Sequence, residues 1–301
     1  MENNYHVPVL LNECLEGLNI NPSGVYVDVT FGGGGHSRAI LDRLGKEGVL
    51  IAFDQDPDAQ RNKIEDPRFK FVDQNFSFLK NNLRLLGYRQ VDGILADLGV
   101  SSHQFNEAER GFSIRFDADL DMRMDQQRSL TAAKVLNTYS EEDLHRIFGL
   151  YGEVKNAKSL ARSIVTARLE KEIKTLGDFK QVIASHIPKG KENKYMAQVF
   201  QALRIEVNAE LEVLERFLEQ SAEVLKQGGR LVVISYHSLE DRPVKNYIAK
   251  GKFKGEVDKD FFGNDVKPFR VITRKAIVAG TEELKNNTRS RSAKLRIGEK
   301  L

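Results

Sequence analysis

Residues 25–36 read VYVDVTFGGGGH, an apolar run that leads directly into four consecutive glycines. The apolar part has the length and the valine content of a buried β-strand. Apolar residues then recur at helical spacing from His36 to Leu44, and Gly45 provides a stop signal. A strand, a glycine loop and a helix in this order are typical of the nucleotide-binding edge of a parallel sheet.

The spacing of the glycines separates two classes of cofactor. The nicotinamide fingerprint Gly-x-Gly-x-x-Gly requires a glycine at the position where Ser37 stands. Starting from Asp28, the sequence instead matches the methyltransferase form Asp-x-Gly-x-Gly-x-Gly, with Thr30 at the first glycine position. Asp54 ends a second apolar strand. A carboxylate at this point can accept hydrogen bonds from the ribose hydroxyls of an adenosyl group. The pattern favours S-adenosylmethionine over the simpler interpretation that the glycines form a flexible turn.

Further strands follow this motif. Apolar runs at 49–54, 69–72 and 93–97 alternate with helical stretches, which predicts a parallel sheet with helices on both faces. Strand character returns near the carboxyl end, at 230–235, 269–272 and 293–297.

A helical region interrupts the strands. Residues 105–205 carry capping boxes and apolar helical stripes but no convincing strand, and one long helix is predicted from about 207 to 228. We therefore predict an α/β fold, a Rossmann-like doubly wound methyltransferase sheet built from 1–104 and 206–301, with an all-helical domain, 105–205, inserted after its fourth strand. Because such a core can hold a cofactor and one base by itself, we expect the inserted domain to recognise the substrate.

Composition restricts the class of protein. The chain is 41% hydrophobic and 30% charged, as in ordinary globular proteins, and no apolar run approaches the roughly 18 residues that span a bilayer. The first residues lack the basic-then-apolar pattern of a signal peptide. Cys14 is the single cysteine, which excludes an intrachain disulfide and a cysteine-rich zinc site. We expect a cytoplasmic protein that requires no metal.

Basic residues are concentrated towards one end. Five lysines and arginines and no acidic residue lie between Arg242 and Gly255, and six lie between Lys285 and Lys300 against Glu299 alone. Such runs are often only solvated surface, but two of them favour a polyanionic partner. The residues of the tail expected to contact phosphates are Arg289, Arg291, Lys294 and Arg296.

Asp97 ends the predicted fourth strand, from which this fold presents groups to the reacting centre. Residues 97–102 read DLGVSS. Amino methyltransferases that modify DNA carry Asp-Pro-Pro-aromatic at this point, and their carboxylate accepts a hydrogen bond from the target amine. Only the aspartate matches here, so Asp97 is expected to orient an amine, with a plain strand-end cap as the alternative.

The whole chain resembles the ribosomal RNA small subunit methyltransferase H family, also called MraW. The resemblance rests on several blocks of sequence that occur in the order typical of the family. They are TFG (30–32) with GGHS (34–37), DLGVSS (97–102), ERGFS (109–113), LDMRMD (120–125), FQALRI (200–205), ISYHSLEDR (234–242) and RSRSAKLR (289–296).

The resemblance implies a reaction and a set of site residues. The family methylates the N4 amine of a decoding-centre cytidine in 16S ribosomal RNA of the small ribosomal subunit, with S-adenosylmethionine as cofactor. Carried over position by position, the implied cofactor contacts are Gly34, Gly35, His36, Asp54, Phe76, Asp97 and Gln104. His36 stands at a helix start, where a positive charge is disfavoured, so we expect it to be neutral and hydrogen-bonded.

The target base must leave its stack to react. Tyr236 and His237 follow the fifth strand and are candidates for gripping that base, unless they are loop residues packed against the sheet.

Three other classes of protein compete with this interpretation. A nicotinamide dehydrogenase lacks its third glycine at Ser37. A methyltransferase for a small molecule, or an N4/N6 amino methyltransferase for DNA or another RNA, would share the cofactor site; the basic tail disfavours the small molecule. A non-catalytic RNA-binding module would have no use for the glycine loop together with Asp54.

Overall fold

The computed structural model describes residues 8–99, 110–112 and 117–301. Contacts divide the chain into two compact units. One unit comprises Met1–Gly99 with Leu211–Leu301, and the other comprises Val100–Glu210. That residues 105–205 act as a domain for substrate recognition stays a prediction.

The first unit is built on a seven-stranded sheet with the order β3-β2-β1-β4-β5-β9-β8. The first five of these strands in the sheet are parallel, and β9 runs antiparallel between β5 and β8. A separate hairpin consists of β6 and β7. The strands are β1 Val25–Asp28, β2 Val49–Phe53, β3 Phe69–Val72, β4 Val91–Asp97, β5 Leu225–Ser235, β6 Asp258–Lys259, β7 Asp265–Val266, β8 Phe269–Val271 and β9 Lys294–Lys300.

Both faces of the sheet are covered, which explains why its strands read as continuous apolar runs. Val27 and its neighbours pack with Phe217 on one face, whereas Tyr26 and Leu50 pack with Leu18 on the other. The helices of this unit are α1 Leu11–Leu18, α2 Gly35–Leu41, α3 Leu79–Leu85, α9 Glu210–Val224, α10 Ser238–Lys250 and α11 Thr281–Asn286. The predicted Rossmann-like doubly wound α/β fold is confirmed.

The strand order reverses between β1 and β4. The chain passes from β1 to β2 and β3 on one side and then returns to place β4 on the other side of β1. In the register, Asp28 pairs with Leu95 and Asp97 pairs with Ile234. Ligands of open α/β sheets bind at such a switch point, outside the carboxyl ends of the strands. This edge is therefore where a site is expected.

The second unit contains helices around a core of its own. Phe148, Phe179 and Leu203 are buried in that core. One of the capping boxes predicted for this region is formed by Thr175 and Asp178. The Thr175 side chain accepts a hydrogen bond from the Asp178 N–H, and the Asp178 side chain accepts one from the Thr175 N–H. Among the described residues of this unit the helices are α4 Ala132–Thr138, α5 Glu141–Leu150, α6 Ala157–Glu170, α7 Leu176–Ile183 and α8 Glu192–Asn208.

The helix predicted from about 207 to 228 is present but shorter, as α9 Glu210–Val224, and both of its predicted ends are wrong. Helix α8 ends at Asn208, Ala209 adopts a left-handed φ of 51°, and β5 already begins at Leu225. The Asn208 side chain accepts from the Met124 N–H at 2.8 Å and donates to the Met122 carbonyl at 2.8 Å. We attribute the break to these bonds, which hold Asn208 on a distant segment of the same unit.

Part of the basic tail is internal. Arg296 lies in β9 with 8% of its surface exposed, and its guanidinium makes two bonds to Asp241, at 2.5 and 3.0 Å. Burial acts to raise the pKa of Asp241, but the Arg296 guanidinium, together with Lys294 and Lys245, outweighs burial and lowers that pKa. Lys294 lies 3.7 Å from the same carboxylate. The expectation that Arg296 contacts phosphate is therefore wrong, because its guanidinium is buried and bound to the Asp241 carboxylate.

In the part of the chain that the structure describes, no helix is long and apolar enough to cross a membrane.

Candidate functional site

The glycine loop turns the chain from β1 into α2 and leaves its backbone open on one side. Gly32 and Gly34 have left-handed φ angles of 51° and 75°. A Cβ on Gly34 would lie 2.9 Å from the Phe31 ring, whereas a Cβ on Gly33 would meet no atom within 4 Å. Glycine at 34 is thus required by conformation and by contact, and the open side at Gly33 admits a ligand to the backbone.

The segment before α1 packs on the end of this loop. A Cβ on Gly35 would lie 2.5 Å from Cγ of Pro8. The Nε2 atom of His36 lies 3.0 Å from the Val9 carbonyl. Because a carbonyl can only accept, Nε2 carries the proton of this bond. His36 is 7% exposed, and the expected hydrogen bond of its ring is present. That the ring is neutral stays a prediction.

Asp54 joins the end of β2 to the glycine loop. Its Oδ2 accepts from the Gly32 N–H at 2.8 Å, and its Oδ1 accepts from the Asp56 N–H at 2.9 Å. Burial raises the pKa of Asp54 to about 6, although both N–H groups act to lower it. A carboxylate oxygen has more than one acceptor direction, so Asp54 can also accept from a ligand.

Thr30 connects the ends of β1 and β4. Its hydroxyl accepts from the Asp97 N–H at 2.7 Å and lies 3.4 Å from Oδ1 of Asp28, to which it donates. The other carboxylate oxygen of Asp28 accepts from the Ser37 hydroxyl at 2.7 Å. Threonine at the first glycine position of the motif therefore serves a purpose that glycine could not. It fixes the backbone of Asp97 relative to the glycine loop.

The Asp97 carboxylate is held on both sides. Its Oδ1 accepts from the Tyr236 hydroxyl at 2.7 Å, and its Oδ2 lies 3.9 Å from Nδ1 of His36. Burial raises the pKa of Asp97, while His36 and the Tyr236 hydroxyl act in the opposite direction. Burial and the neighbouring Asp97 raise the pKa of Tyr236 well above its usual range, so the phenol keeps its proton and donates it. With 25% of its side chain exposed, Asp97 remains accessible.

Glu240 contacts both Tyr236 and His237, a role that was not predicted from the sequence. Its carboxylate accepts from the Tyr236 N–H at 2.8 Å and lies 3.0 Å from Nε2 of His237. Glu240 is 4% exposed, so a buried carboxylate fixes the turn from β5 into α10. Glu240 stands three residues after His237 and four after Tyr236, at the start of a helix. This spacing could have indicated the contact from the sequence, since residues three or four apart are neighbours on a helix.

The structure brings most of the expected site residues to one edge of the sheet. Gly34, Gly35, His36, Asp54, Asp97 and Tyr236 lie on or beside the carboxyl ends of β1, β2, β4 and β5. Phe76 follows β3, and its half-buried ring contacts Phe217 edge-on with centroids 5.3 Å apart. Gln104 lies outside the described residues.

A family model described as the MraW methylase family matches residues 3–301. The chain belongs to the MraW methylase family. Three relatives named "Ribosomal RNA small subunit methyltransferase H" align over nearly the full length of both chains. The relative from Flavobacterium johnsoniae is 58% identical over 297 residues, covering 99% of this chain and 98% of its own. That from Bacteroides thetaiotaomicron is 57% identical (98% and 97% covered), and that from Cytophaga hutchinsonii is 58% identical (98% and 99% covered). The resemblance to the MraW family is thereby confirmed.

Thr30→Val tests the connection between β1 and β4. The substitution keeps the shape of the side chain but leaves the Asp97 N–H without its acceptor, so the free energy of unfolding should fall by about 1–3 kcal/mol. Thr30→Ser retains the hydroxyl and is the matched control. Urea titrations of both variants give the comparison, and equal stability of the valine and serine forms would show that the hydroxyl bridge contributes nothing.

Proposed function

We propose that this chain transfers a methyl group from S-adenosylmethionine to the exocyclic N4 amine of a cytidine in the decoding centre of 16S ribosomal RNA. The observation that carries the proposal is the Asp97 carboxylate, which ends β4 beside the glycine loop and is oriented by Tyr236. The names of the relatives support small-subunit ribosomal RNA as the substrate. The N4 amine and the decoding centre follow from the family resemblance.

The residues of this edge fit S-adenosylmethionine. The backbone at Gly33 is open, the Asp54 carboxylate has acceptor capacity at the end of β2, and Phe76 follows the neighbouring strand with a half-buried ring. When bound, the cofactor supplies a methyl group on a sulfonium, which is already activated for transfer. Asp54 would accept hydrogen bonds from the ribose hydroxyls, and Phe76 would cover the adenine. The backbone of Gly34 and Gly35 would contact the cofactor directly.

Asp97 would act on the methyl acceptor. The lone pair of a cytosine amine is delocalised into the ring. A carboxylate that accepts a hydrogen bond from one of the amine N–H groups helps to localise this lone pair for in-line attack. The Tyr236 hydroxyl donates a hydrogen bond to Oδ1 of Asp97, so Oδ2 would accept the hydrogen bond from the amine. The proton released after transfer can leave to water, so the mechanism does not require a dedicated base.

Tyr236 is better described as a positioning residue than as a clamp on the target base. Its hydroxyl is used on Asp97, and its backbone is fixed by Glu240. His237, which contacts Glu240 beside it, stays a candidate for contact with the flipped base. In this proposal, residues 105–205 contribute to recognition of the RNA, together with Arg289 and Arg291 of the tail.

The proposal is tested by methyl transfer from labelled cofactor. Purified small ribosomal subunits, naked 16S ribosomal RNA and DNA are offered separately, and the labelled product is digested to nucleosides. We expect label in ribosomal RNA only, in N4-methylated cytidine. Label in DNA, label in another nucleoside, or no transfer to any of the three would overturn the proposed function.

Asp97→Asn separates the two roles of this residue. An amide keeps the size of the side chain but presents a donor where the acceptor for the amine is needed. We expect single-turnover methyl transfer to slow by about a hundredfold, within the range for lost electrostatic groups in active sites. Affinity for S-adenosylmethionine, measured by calorimetric titration, should change by less than about tenfold. Equal losses in both measurements would make Asp97 a cofactor ligand only.

Asp54 should make cofactor binding depend on pH. Its pKa is raised to about 6, so the carboxyl group becomes protonated as the pH falls below that value and loses its strength as an acceptor. A donor from the ligand favours the charged form, and affinity is therefore greatest above pH 6. The Kd of S-adenosylmethionine should rise about tenfold from pH 7 to pH 5. The Asp54→Asn variant should bind S-adenosylmethionine weakly, and its Kd should not change with pH in this range. If the Kd of the variant varies with pH as that of the parent does, Asp54 is excluded from the site.

A further inference from the structure

The segment that enters β9 lies at the edge of the sheet that carries the candidate site. Strand β9 runs antiparallel to β5, and Lys294 at its start pairs with Ser235 at the end of β5. The chain therefore enters β9 from beyond the carboxyl end of β5, where Tyr236 follows. A 3₁₀ turn, Thr288–Ser292, forms this entry. Arg289 belongs to that turn and thus lies at the same edge as the site.

Buried neighbours fix the backbone of the turn. The Asn287 side chain accepts from the Arg289 N–H at 3.3 Å, and the Ser290 hydroxyl donates to the Asn287 carbonyl at 2.7 Å. Asn287 is 4% exposed and Ser290 is 1% exposed. Ala293 belongs to the apolar cluster against which Tyr236 packs. The Arg289 side chain therefore starts from a defined point beside Tyr236.

The guanidinium of Arg289 is partly buried without an anionic partner. Burial lowers the pKa of Arg289, while the nearby Tyr236 side chain acts in the opposite direction. An arginine nevertheless stays charged at physiological pH. Among the described residues, Arg289 forms no ion pair with a carboxylate, whereas Arg296 in the following strand is bound to Asp241. A partly desolvated cation that the protein does not neutralise favours an anionic ligand.

The position of Arg289 along the edge indicates which ligand it can reach. In the sheet, β1, β2 and β3 lie on one side of β4, and β5 and β9 lie on the other. The proposed cofactor contacts at Asp54 and Phe76 follow β2 and β3. Asp97 ends β4, and Arg289 precedes β9 on the side away from those contacts. The cofactor contacts thus account for one half of the edge, and the half with Arg289 is left for the methyl acceptor.

We propose that Arg289 binds a phosphate of the target nucleotide itself and holds this nucleotide in place while its amine meets Asp97. This inference rests on the proposed function. A base that has left its stack needs new contacts to hold it, and a guanidinium can make two parallel hydrogen bonds to a phosphate. Arg291 in the same turn is exposed and stays a candidate for phosphates elsewhere on the RNA.

The test measures single-turnover methyl transfer to small ribosomal subunits that lack the modification, at saturating cofactor. Arg289→Gln removes the charge, and the rate at saturating subunits should fall about tenfold to a hundredfold, since a misplaced reacting group costs up to about a hundredfold. Arg289→Lys keeps the charge without the planar fork, so its rate should lie between those of the parent and the glutamine variant. Arg84→Gln is the matched control, because Arg84 is exposed on α3, and it should react like the parent.

Two further measurements separate phosphate binding from other roles of Arg289. The subunit concentration at half-maximal rate is determined over a series of salt concentrations. Loss of one phosphate contact should flatten its logarithmic salt dependence by about one unit in Arg289→Gln. The Kd of S-adenosylmethionine and the free energy of unfolding in urea should match those of the parent, because Arg289 lies away from the cofactor contacts.

Each alternative role has its own result. A glutamine variant that reacts at the parent's rate, a lysine variant as slow as glutamine, or an unaltered salt dependence overturns the proposal. A Kd of S-adenosylmethionine that rises as much as the rate falls assigns Arg289 to the cofactor instead. A matching loss of unfolding free energy makes its role structural and also overturns the proposal.

The parent enzyme separates this inference from the proposed function. If the parent transfers no methyl group to small subunits, the proposed function falls. If the parent methylates N4 of cytidine while Arg289→Gln behaves like Arg84→Gln, only the role of Arg289 falls.

Discussion

The site depends on a buried carboxylate, that of Asp28. Its side chain is 1% exposed, and burial raises its pKa. An isolated carboxylate in this environment would be costly, but Asp28 accepts from the Thr30 N–H, the Thr30 hydroxyl and the Ser37 hydroxyl. These bonds fix the residues on either side of the four glycines. The hydroxyl of Thr30 then extends the same network to the backbone of Asp97 in the adjacent strand.

Features that depend on neighbouring residues could be predicted from the sequence. The strands, the glycine loop and the Thr175 cap are encoded within a few residues of where they occur. The approach of Asp54 to the loop could also be predicted, because the carboxyl ends of adjacent parallel strands meet at one edge. The bond from Asp54 to Gly32 is the result of that topology.

Features that depend on distant partners could not be predicted. The break at Ala209 follows from bonds between Asn208 and the segment around Met122, which is 86 residues away. The bond from Tyr236 to Asp97 spans 139 residues and exists because β4 pairs with β5. Arg296 was interpreted as a surface charge, since no local pattern indicates that Asp241 meets it in the fold. In each case a polar side chain is satisfied by a partner that only the tertiary structure supplies.

The contact between the glycine loop and the residues before α1 has a practical consequence. Pro8 occupies the space beside Gly35, the Val9 carbonyl accepts a hydrogen bond from the His36 ring, and the Leu10 N–H donates to the Glu283 carboxylate. Val9 and Leu10 are also buried in the apolar core on one face of the sheet, so their removal would both open that core and free the imidazole that faces Asp97. A substitution at Pro8 or Val9 therefore acts directly on the glycine loop, although neither residue belongs to the cofactor motif.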